Sequence, residues 1–221
     1  MNRLLPVLSV LCVLLVPSPA QSLAVPELLI PLYDLSYAPR VLKLATTRKI
    51  SIILNVADGP GVTPDKLWQK LIRQFPATTT PYAYVELVTW RGNKSTPRPL
   101  TDITRDCDRW KQIYGITRYF FDDYQTHTET RLPNAANSIA NPGQPKATTC
   151  GITVTWETEN YIKSKPSSIP TQAIFAMAQE DWRPAYRLAT QRKIKLIFIT
   201  PRPDNWHAYD KLPSYLEEIG K

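Results

Sequence analysis

The feature that most constrains the fold is a regular alternation of short apolar runs with longer amphipathic stretches. Eight runs have the length and the β-branched or aromatic character of buried strands. They occupy residues 28–33, 50–56, 82–88, 116–121, 138–140, 151–156, 172–178 and 194–200. Strands that alternate with helices form parallel sheets, and eight of them can close into a barrel. The pattern predicts an α/β protein, a small (β/α)8 barrel of the TIM type.

The connections between these runs carry helical signals. Apolar side chains recur at helical spacing over residues 41–49, 100–114 and 182–192. A further helix should begin with Thr63 as its N-cap and Pro64 in its first turn. The connection between the fourth and fifth strands, 124–137, is short and contains Pro133, so one barrel helix should be reduced there. An open doubly wound sheet is the alternative, but no Gly-x-Gly-x-x-Gly or P-loop supports a nucleotide-binding version of it.

Residues 1–24 have the pattern of a secretory signal peptide. Arg3 precedes an apolar run from Leu4 to Pro17, and small residues allow cleavage after Ala20 or Ala24. The run is short for a transmembrane helix, so a membrane anchor is the less favoured alternative. We expect one barrel domain over residues 25–221, secreted to the extracellular space or cell wall and without a transmembrane segment.

Charge and composition exclude several classes of function. The formal net charge is +8, and it falls to +7 when Arg3 leaves with the leader. The charges are spread along the chain, whereas nucleic-acid binding favours a clustered basic stripe or a recognisable module. The two histidines are far apart and no Cys-x-x-Cys occurs, so we expect no metal site and no cofactor. A basic secreted protein suits an anionic wall or matrix, and we expect a monomer.

Two further features follow from secretion. Cys107 and Cys150 are the cysteines of the mature chain, and an oxidising compartment allows a disulfide between them. Whether their geometry permits this bond is not determined by the sequence. Asn93 begins an Asn-Lys-Ser sequon, which predicts N-glycosylation on a surface loop.

Polar and aromatic residues follow the predicted strands at their C-terminal ends, where barrels of this type hold reactive groups. Asp122 and Asp123 follow the fourth strand, and Glu157 follows the sixth. Glycoside hydrolysis needs two carboxyl groups beside the scissile bond, one protonated and one ionised. Aromatic faces suit the apolar faces of sugar rings. The sequence therefore favours a glycosidase, and it lacks the Gly-x-Ser-x-Gly elbow typical of acyl transfer.

Each of these features also has an ordinary structural interpretation. Adjacent aspartates after a strand often form a solvated loop or a helix cap. The segments that begin at Asp58 and Asn141 are good turn sequences for any function. Trp90 and Trp156 can pack in the core or on the rim. The functional interpretation depends on the joint placement of these residues at several strand ends.

Ordered motifs along the chain resemble those of the spherulation-specific family 4 proteins (spherulin 4), grouped with glycoside hydrolase family 135. The motifs are Ile30-Pro31-Leu32-Tyr33, Leu54-Asn55-Val56, Gly59-Pro60-Gly61, Tyr84-Val85, Phe121-Asp122-Asp123, Asn141-Pro142-Gly143, Trp156-Glu157 and Leu212-Pro213-Ser214-Tyr215. The resemblance implies a (β/α)8 barrel. It also implies an endo-acting hydrolase of α-1,4-linked galactosaminyl polysaccharides, and hence an extracellular polysaccharide as partner.

The resemblance also implies roles for individual residues. Asp122 would be the nucleophile, Glu157 the acid/base, and Asp123 the supporting carboxylate. Expected substrate-binding residues are Tyr33, Asp34, Asn55, Tyr84, Glu86, Tyr124, Asn141 and Trp156. Successive strand residues point to opposite sides, so Asp122 and Asp123 can share one site only if the backbone turns there.

The chain departs from the family at the fourth strand, where Asp-Glu is usual and Asp122-Asp123 stands instead. The shorter side chain withdraws the carboxyl by about 1.5 Å, and a displacement of that size can weaken catalysis. A second hypothesis is therefore a non-catalytic glycan-binding wall or matrix protein. A third is a hydrolase of an unrelated polysaccharide. A deacetylated, cationic polymer would be repelled by a chain of charge +7, so we expect N-acetylated or partly acetylated stretches as substrate.

Overall fold

The computed structural model describes residues 25–92, 94–124, 131–142, 148–157, 172–176, 181–201 and 212–221. The predicted signal peptide, 1–24, and the predicted glycosylation site at Asn93 lie outside the described residues.

The described chain forms a closed parallel β-barrel. Its ten strands are β1 (Glu27–Leu32), β2 (Ile50–Leu54), β3 (Thr80–Glu86), β4 (Val88–Arg91), β5 (Lys94–Pro97), β6 (Tyr119–Asp122), β7 (Ile139–Ala140), β8 (Ile152–Glu157), β9 (Ala173–Ala176) and β10 (Leu196–Ile199). Eight of them close the barrel in the order β1-β10-β9-β8-β7-β6-β3-β2. Followed from strand to strand around the barrel, the register returns to β1 eight residues earlier. This is the shear of a TIM barrel, so the predicted fold class is confirmed.

Apolar side chains fill the barrel interior. The Phe120 and Phe175 rings lie 6.0 Å apart, although their strands, β6 and β9, are not neighbours in the sheet. Their contact therefore crosses the interior, and Phe198 on β10 packs 6.1 Å from Phe175. All three side chains are fully buried, and burying each stabilises the fold by about 1.5–3 kcal/mol. The barrel is a packed core, and the aromatic layer forms the floor beneath its C-terminal end.

Helices lie between several of the strands. They are α1 (Ala38–Thr47), α2 (Lys66–Gln74), α3 (Leu100–Arg109) and α4 (Trp182–Gln191), and a π-helical turn, Trp110–Tyr114, extends α3. Gly115, at a φ of 71°, ends this extension. None of the helices in the described part of the chain combines the length and apolar character that a transmembrane segment requires.

The start of α2 differs from the prediction. Asp65 is the N-cap, because its carboxylate accepts hydrogen bonds from the backbone N–H groups of Leu67 (2.8 Å) and Trp68 (3.1 Å). The assignment of Thr63 as N-cap is therefore wrong. An aspartate two positions later reaches two of the otherwise unpaired N–H groups at the first turn.

Two connections bear on the site. Between β6 and β7, the described residues 131–138 contain one short 310 turn, Ala135–Asn137, in line with the expected loss of a barrel helix. Between β3 and α3, the chain forms an antiparallel hairpin of β4 and β5. The third predicted strand, 82–88, extends too far, because the barrel strand ends at Glu86 and Val88 already belongs to the hairpin.

The disulfide that the sequence allows is not formed. Cys107 is buried on α3 and Cys150 is half-buried before β8, and both are free thiols. Because α3 packs against β3, strands β6 and β7 separate the two elements in the barrel. Burial raises the pKa of each thiol to about 12, so both remain protonated and unreactive at neutral pH.

Candidate active site

Two carboxylic acids stand side by side where β3 and β6 end. Glu86 is the last residue of β3 and Asp122 the last of β6, and the register pairs them. Phe120 points into the barrel, so Asp122, two residues further on, lies on the same side above the aromatic floor. The pairing brings both acids to the C-terminal rim of the barrel, where reactive groups of such folds lie.

Three hydrogen-bond donors hold the Asp122 carboxylate. The Tyr84 hydroxyl donates to Oδ2 (3.1 Å), the Asn141 Nδ2 donates to Oδ1 (2.8 Å), and the Asp123 backbone N–H donates to Oδ1 (3.0 Å). Burial and the charge of Asp123 raise the pKa of Asp122 to about 6, while these three donors oppose the rise. Asp122 is therefore mainly ionised at neutral pH and fixed in one orientation.

The backbone turns at Asp123, as a shared site requires. Its φ is 54°, a left-handed conformation that reverses the alternation of the strand. Its Oδ2 accepts a hydrogen bond of 3.2 Å from the indole Nε1 of Trp90 on β4. Burial raises the pKa of Asp123, and the bond from Trp90 opposes that rise. The turn thus leaves Asp123 close enough for its charge to raise the pKa of Asp122, and its role as supporting carboxylate stays a prediction.

Of the two acids Glu86 and Asp122, Glu86 has the higher pKa. Burial, together with the negative charges of Asp122, Asp123 and Asp58, raises its pKa to about 7. The charge of Arg98 opposes this rise. Near neutral pH, Glu86 is therefore about half protonated beside an ionised Asp122. The sequence predicts only a substrate-binding role for Glu86, because residue type does not reveal how much negative charge surrounds a side chain.

Tyrosines form one wall of the site. The rings of Tyr33 and Tyr84 meet edge to face at 5.8 Å, and Tyr84 stacks at 6.2 Å on Phe120. Burial and the charge of Asp122 raise the pKa of Tyr84 above its ordinary value, so its hydroxyl remains a donor to Asp122. Tyr33 and Tyr84 therefore lie together beside Asp122, and their roles in substrate binding stay predictions.

Asn55 shapes the loop after β2. Its Oδ1 accepts a hydrogen bond of 3.0 Å from the Gly59 N–H, and its Nδ2 lies 3.4 Å from Asp58 Oδ1. The loop needs left-handed backbone at Asp58 (φ 51°) and a φ of 142° at Gly59, which glycine adopts readily. Asn55 thus positions the loop whose Asp58 charge acts on Glu86.

Two predicted substrate-binding residues have structural roles. Asp34 caps the 310 turn Leu35–Tyr37 by accepting a 2.7 Å hydrogen bond from the Ser36 N–H, and this bond lowers its pKa. Tyr124 is 1% exposed, and its hydroxyl lies 2.9 Å from Thr149 Oγ1. The buried Tyr124 ring thus contacts the segment before β8, and substrate contacts of Asp34 and Tyr124 stay predictions.

The sixth predicted strand ends at the same rim. Trp156 and Glu157 are the last residues of β8, opposite Phe175 and Ala176 of β9. In the barrel, β7 alone separates β8 from β6. The backbone thus carries Glu157 to the rim that holds Asp122, and its assignment as acid/base stays a prediction.

Trp90 is a further residue of the candidate site, and the sequence alone indicates only that it packs in the core or on the rim. It lies on β4, it is 53% exposed, and it donates to Asp123. A local signal for its position exists, because Gly92-Asn93 between two β-prone runs is typical of a hairpin turn. That Trp90 reaches Asp123 follows only from the packing of the hairpin on the barrel.

Comparisons of the chain with protein-family models, with curated proteins and with solved structures give no match. The resemblance to the spherulation-specific family 4 proteins therefore depends on the ordered motifs of the sequence. The residue roles that the resemblance implies stay predictions.

Proposed function

We propose that this protein is a secreted glycoside hydrolase that cleaves α-1,4-linked galactosaminyl or N-acetylgalactosaminyl polysaccharide within the chain. The observation that supports it best is the pair formed by Asp122 and Glu86. One is a carboxylate held by three donors, and the other has a pKa near 7. Glycoside hydrolysis uses an ionised carboxylate and a protonated acid in this way.

In this mechanism the ionised carboxylate of Asp122 is the nucleophile that attacks the anomeric carbon. Tyr84 and Asn141 keep it in place, and both donate to it in the resting enzyme. The positive charge that develops on the sugar ring is stabilised by Asp122 and Asp123 together. Preorganised charge of this kind lowers the barrier because it needs no rearrangement during the reaction.

The second role is proton donation to the leaving oxygen. The family resemblance assigns it to Glu157. The protonation of Glu86 at neutral pH makes it a second candidate for the same step. Separate substitution of the two glutamates decides between them.

The substrate class comes from the resemblance and is supported by the character of the rim. The exposed Trp90 and the half-buried Tyr33 offer aromatic faces, while the carboxylates suit hydroxyl and amide groups. The net charge of +7 without the leader disfavours a fully deacetylated polymer at long range.

A non-catalytic glycan-binding protein is the second candidate. The observation that favours it is the state of Asp123, whose carboxylate accepts a hydrogen bond from Trp90 at a backbone conformation rare for aspartate. A supporting acid used in this way holds the hairpin in place. Binding of glycan without release of fragments would favour this role.

The test is incubation of the mature protein with N-acetylated and with deacetylated α-1,4-galactosaminyl polymers, followed by mass spectrometry of the products. We expect oligosaccharides from the wild type and none from Asp122→Asn. A folded wild-type protein that releases nothing from either polymer contradicts the proposal. If the protein cleaves other glycans in a wider panel but neither of these two polymers, it is a hydrolase of another polysaccharide.

A further inference from the structure

The N-terminal end of the barrel, opposite the acidic rim, opens into a cavity of about 360 Å³. This volume lies within the range of small-ligand sites. Tyr82 and Leu196 line the cavity, and they come two residues before Tyr84 and Phe198, whose rings pack in the aromatic layer of the interior. Side chains two residues apart on a strand point the same way, so the cavity is the lower opening of the barrel itself. We call it the N-terminal mouth, and its lining also includes Glu27, Lys49, Ser51, Lys193 and Lys195.

The carboxylate of Glu27 is held in place in the N-terminal mouth. Its Oε1 accepts a hydrogen bond of 2.6 Å from the Ser51 hydroxyl, and its Oε2 lies 2.8 Å from the Lys49 Nζ. The ion pair with Lys49 offsets the charge of Glu27 and leaves its side chain 16% exposed. Because a carboxylate has about four acceptor sites, Glu27 can accept further hydrogen bonds from hydroxyl groups of a ligand.

Tyr82 adds a hydroxyl group to the mouth. Within the described part of the chain this hydroxyl forms no hydrogen bond, although Tyr82 is only 6% exposed. Burial raises the pKa of Tyr82, and the nearby charge of Arg118 opposes the rise. The hydroxyl therefore keeps its proton at neutral pH. Since a buried donor without a partner costs stability, a ligand oxygen in the mouth that accepts from Tyr82 would bind favourably.

Three cations at this end of the barrel form no ion pair with any described residue. Lys193 and Lys195 line the mouth, Arg118 lies close enough to Tyr82 to act on its pKa, and all three cations are exposed. Lys193 has a φ of 55°, a conformation that glycine adopts at lower cost, so the turn itself does not call for a lysine. The N-terminal mouth therefore attracts anions, whereas the acidic rim at the other end repels them.

The ligand that fits the mouth combines negative charge with hydroxyl groups. A uronate, which is a sugar with a carboxylate group, offers the carboxylate to the lysines and its hydroxyl groups to Glu27 and Tyr82. An inorganic anion would bind the lysines but would meet Glu27 only as a repelling charge. A single-stranded nucleic acid needs open aromatic faces for its bases, and the ring of Tyr82 is buried. An acidic carbohydrate therefore matches the mouth better than either alternative.

We propose that the N-terminal mouth binds a uronate residue of an acidic polysaccharide. Lys193 and Lys195 bind its carboxylate. Glu27 accepts hydrogen bonds from its hydroxyl groups, and Tyr82 donates one to an oxygen of the same sugar. The site lies at the opposite end of the barrel from Asp122, so it does not depend on the proposed hydrolase. Binding there attaches the protein to an acidic matrix and leaves the acidic rim accessible.

The test measures binding of tri-galacturonate by calorimetry at low ionic strength. Lys193→Ala combined with Lys195→Ala should weaken binding about tenfold, because two charge interactions are lost. The matched control is Lys70→Ala combined with Arg73→Ala, which removes two exposed cations of α2 that do not line the mouth. The control should leave binding nearly unchanged. Equal weakening by both pairs would show attraction by net charge alone and would overturn the site.

Tyr82→Phe removes only the hydroxyl and keeps the ring. It should weaken binding about threefold without lowering the melting temperature, and an unchanged affinity contradicts the hydrogen bond assigned to Tyr82. The methyl ester of the probe, which has no charge, should bind more weakly than tri-galacturonate. A wild-type protein that does not bind tri-galacturonate, or that binds its ester or triglutamate equally well, overturns the proposal.

Asp122→Asn separates this site from the proposed function. The variant should bind tri-galacturonate as the wild type does, because Asp122 lies at the other end of the barrel. Loss of binding in Asp122→Asn would place the ligand at the acidic rim and overturn the site. Binding that depends on Lys193 and Lys195, in a protein that never cleaves a glycan, removes the hydrolase and leaves the N-terminal mouth.

Discussion

The acidic rim and the C-terminal segment use charge in opposite ways. At the rim, Glu86, Asp122 and Asp123 bring negative charges together, and burial and mutual repulsion raise their pKa values. In the C-terminal segment, 212–221, carboxylate and carbonyl oxygens accept hydrogen bonds from Arg40 on α1 and from Arg48, the residue that follows α1. Burial and mutual repulsion of the rim carboxylates therefore cost stability, whereas the C-terminal contacts stabilise the fold.

Two arginines hold that segment. Arg40 donates to the Glu217 carboxylate and to the Ser214 carbonyl oxygen (3.0 Å), and Arg48 donates to the carbonyl oxygens of Leu216 (3.0 Å) and Ile219. Beneath these bonds the side chains of Leu216 and Ile219 are buried. We call this set of contacts the arginine clasp. It satisfies carbonyl groups of a segment that forms turns and no regular helix.

The comparison predicts its largest effect at Asp122. Asp122→Asn should lower the rate of glycan cleavage by about 100- to 10,000-fold without lowering the melting temperature, because it removes one of the repelling charges. Rates of product release and thermal melting measure the two effects. Asp108→Asn, the same change on the exposed side of α3, is the control and should leave the rate unchanged. A variant that cleaves normally removes Asp122 from the mechanism.

The second prediction concerns the proton held at the rim. With Asp122 near 6 and Glu86 near 7, the wild-type rate should rise through about pH 6 and fall above about pH 7. Glu86→Gln should lower the rate about 100-fold and remove the fall above pH 7. The pH–rate profile of Glu157→Gln is the companion measurement. Loss of the alkaline limb in Glu157→Gln alone assigns the proton to Glu157 and contradicts the role of Glu86.

A change in the arginine clasp should lower stability without changing activity, the reverse of the effect expected for Asp122→Asn. Arg48→Ala leaves two carbonyl groups without their donor, so it should lower the free energy of unfolding by about 1–3 kcal/mol. The cleavage rate per folded molecule should not change. Lys43→Ala, an exposed cation on α1, is the matched control and should stay within about 0.5 kcal/mol. Denaturant unfolding measures both; equal effects of the two changes would contradict the clasp.

The smallest expected effect is on the pH dependence of stability, to which the two regions contribute with opposite sign. The pKa values of Glu86 and Asp122 lie above their ordinary 4.5 and 3.8, so folding takes up protons between about pH 4 and 7. The rim therefore destabilises the fold progressively as the pH rises through this range. The hydrogen bond from Arg40 lowers the pKa of Glu217, so the clasp contributes stability that is lost as the pH falls through that pKa.

Melting temperatures from pH 3 to pH 8 measure this response. Glu86→Gln should raise the melting temperature at pH 8 and leave it unchanged at pH 3, where Glu86 is protonated in both the folded and the unfolded state. Glu217→Gln should lower it at pH 8, with an effect that shrinks as the pH falls through the lowered pKa of Glu217. Shifts of the same sign for both variants at pH 8 would show that the two regions do not differ.

The fold and the place of the site were accessible from local sequence. A buried parallel strand needs an apolar run, and a run such as Ile50–Leu54 can be recognised from the local sequence without knowledge of its neighbours in the fold. The polar residues that end such runs must meet at one rim once the sheet is parallel. Asp122 was found in this way, and so were Tyr33, Tyr84 and Asn141.

Tertiary structure alone decided what those residues do to each other. Electrostatic and hydrogen-bond effects depend on distances between segments far apart in the chain. The raised pKa of Glu86, the bond from Trp90 to Asp123 and the separation of Cys107 from Cys150 all follow from the order in which strands close the barrel. Local pattern determined the barrel and its rim; packing determined which acid holds a proton and which aromatic side chain faces solvent beside it.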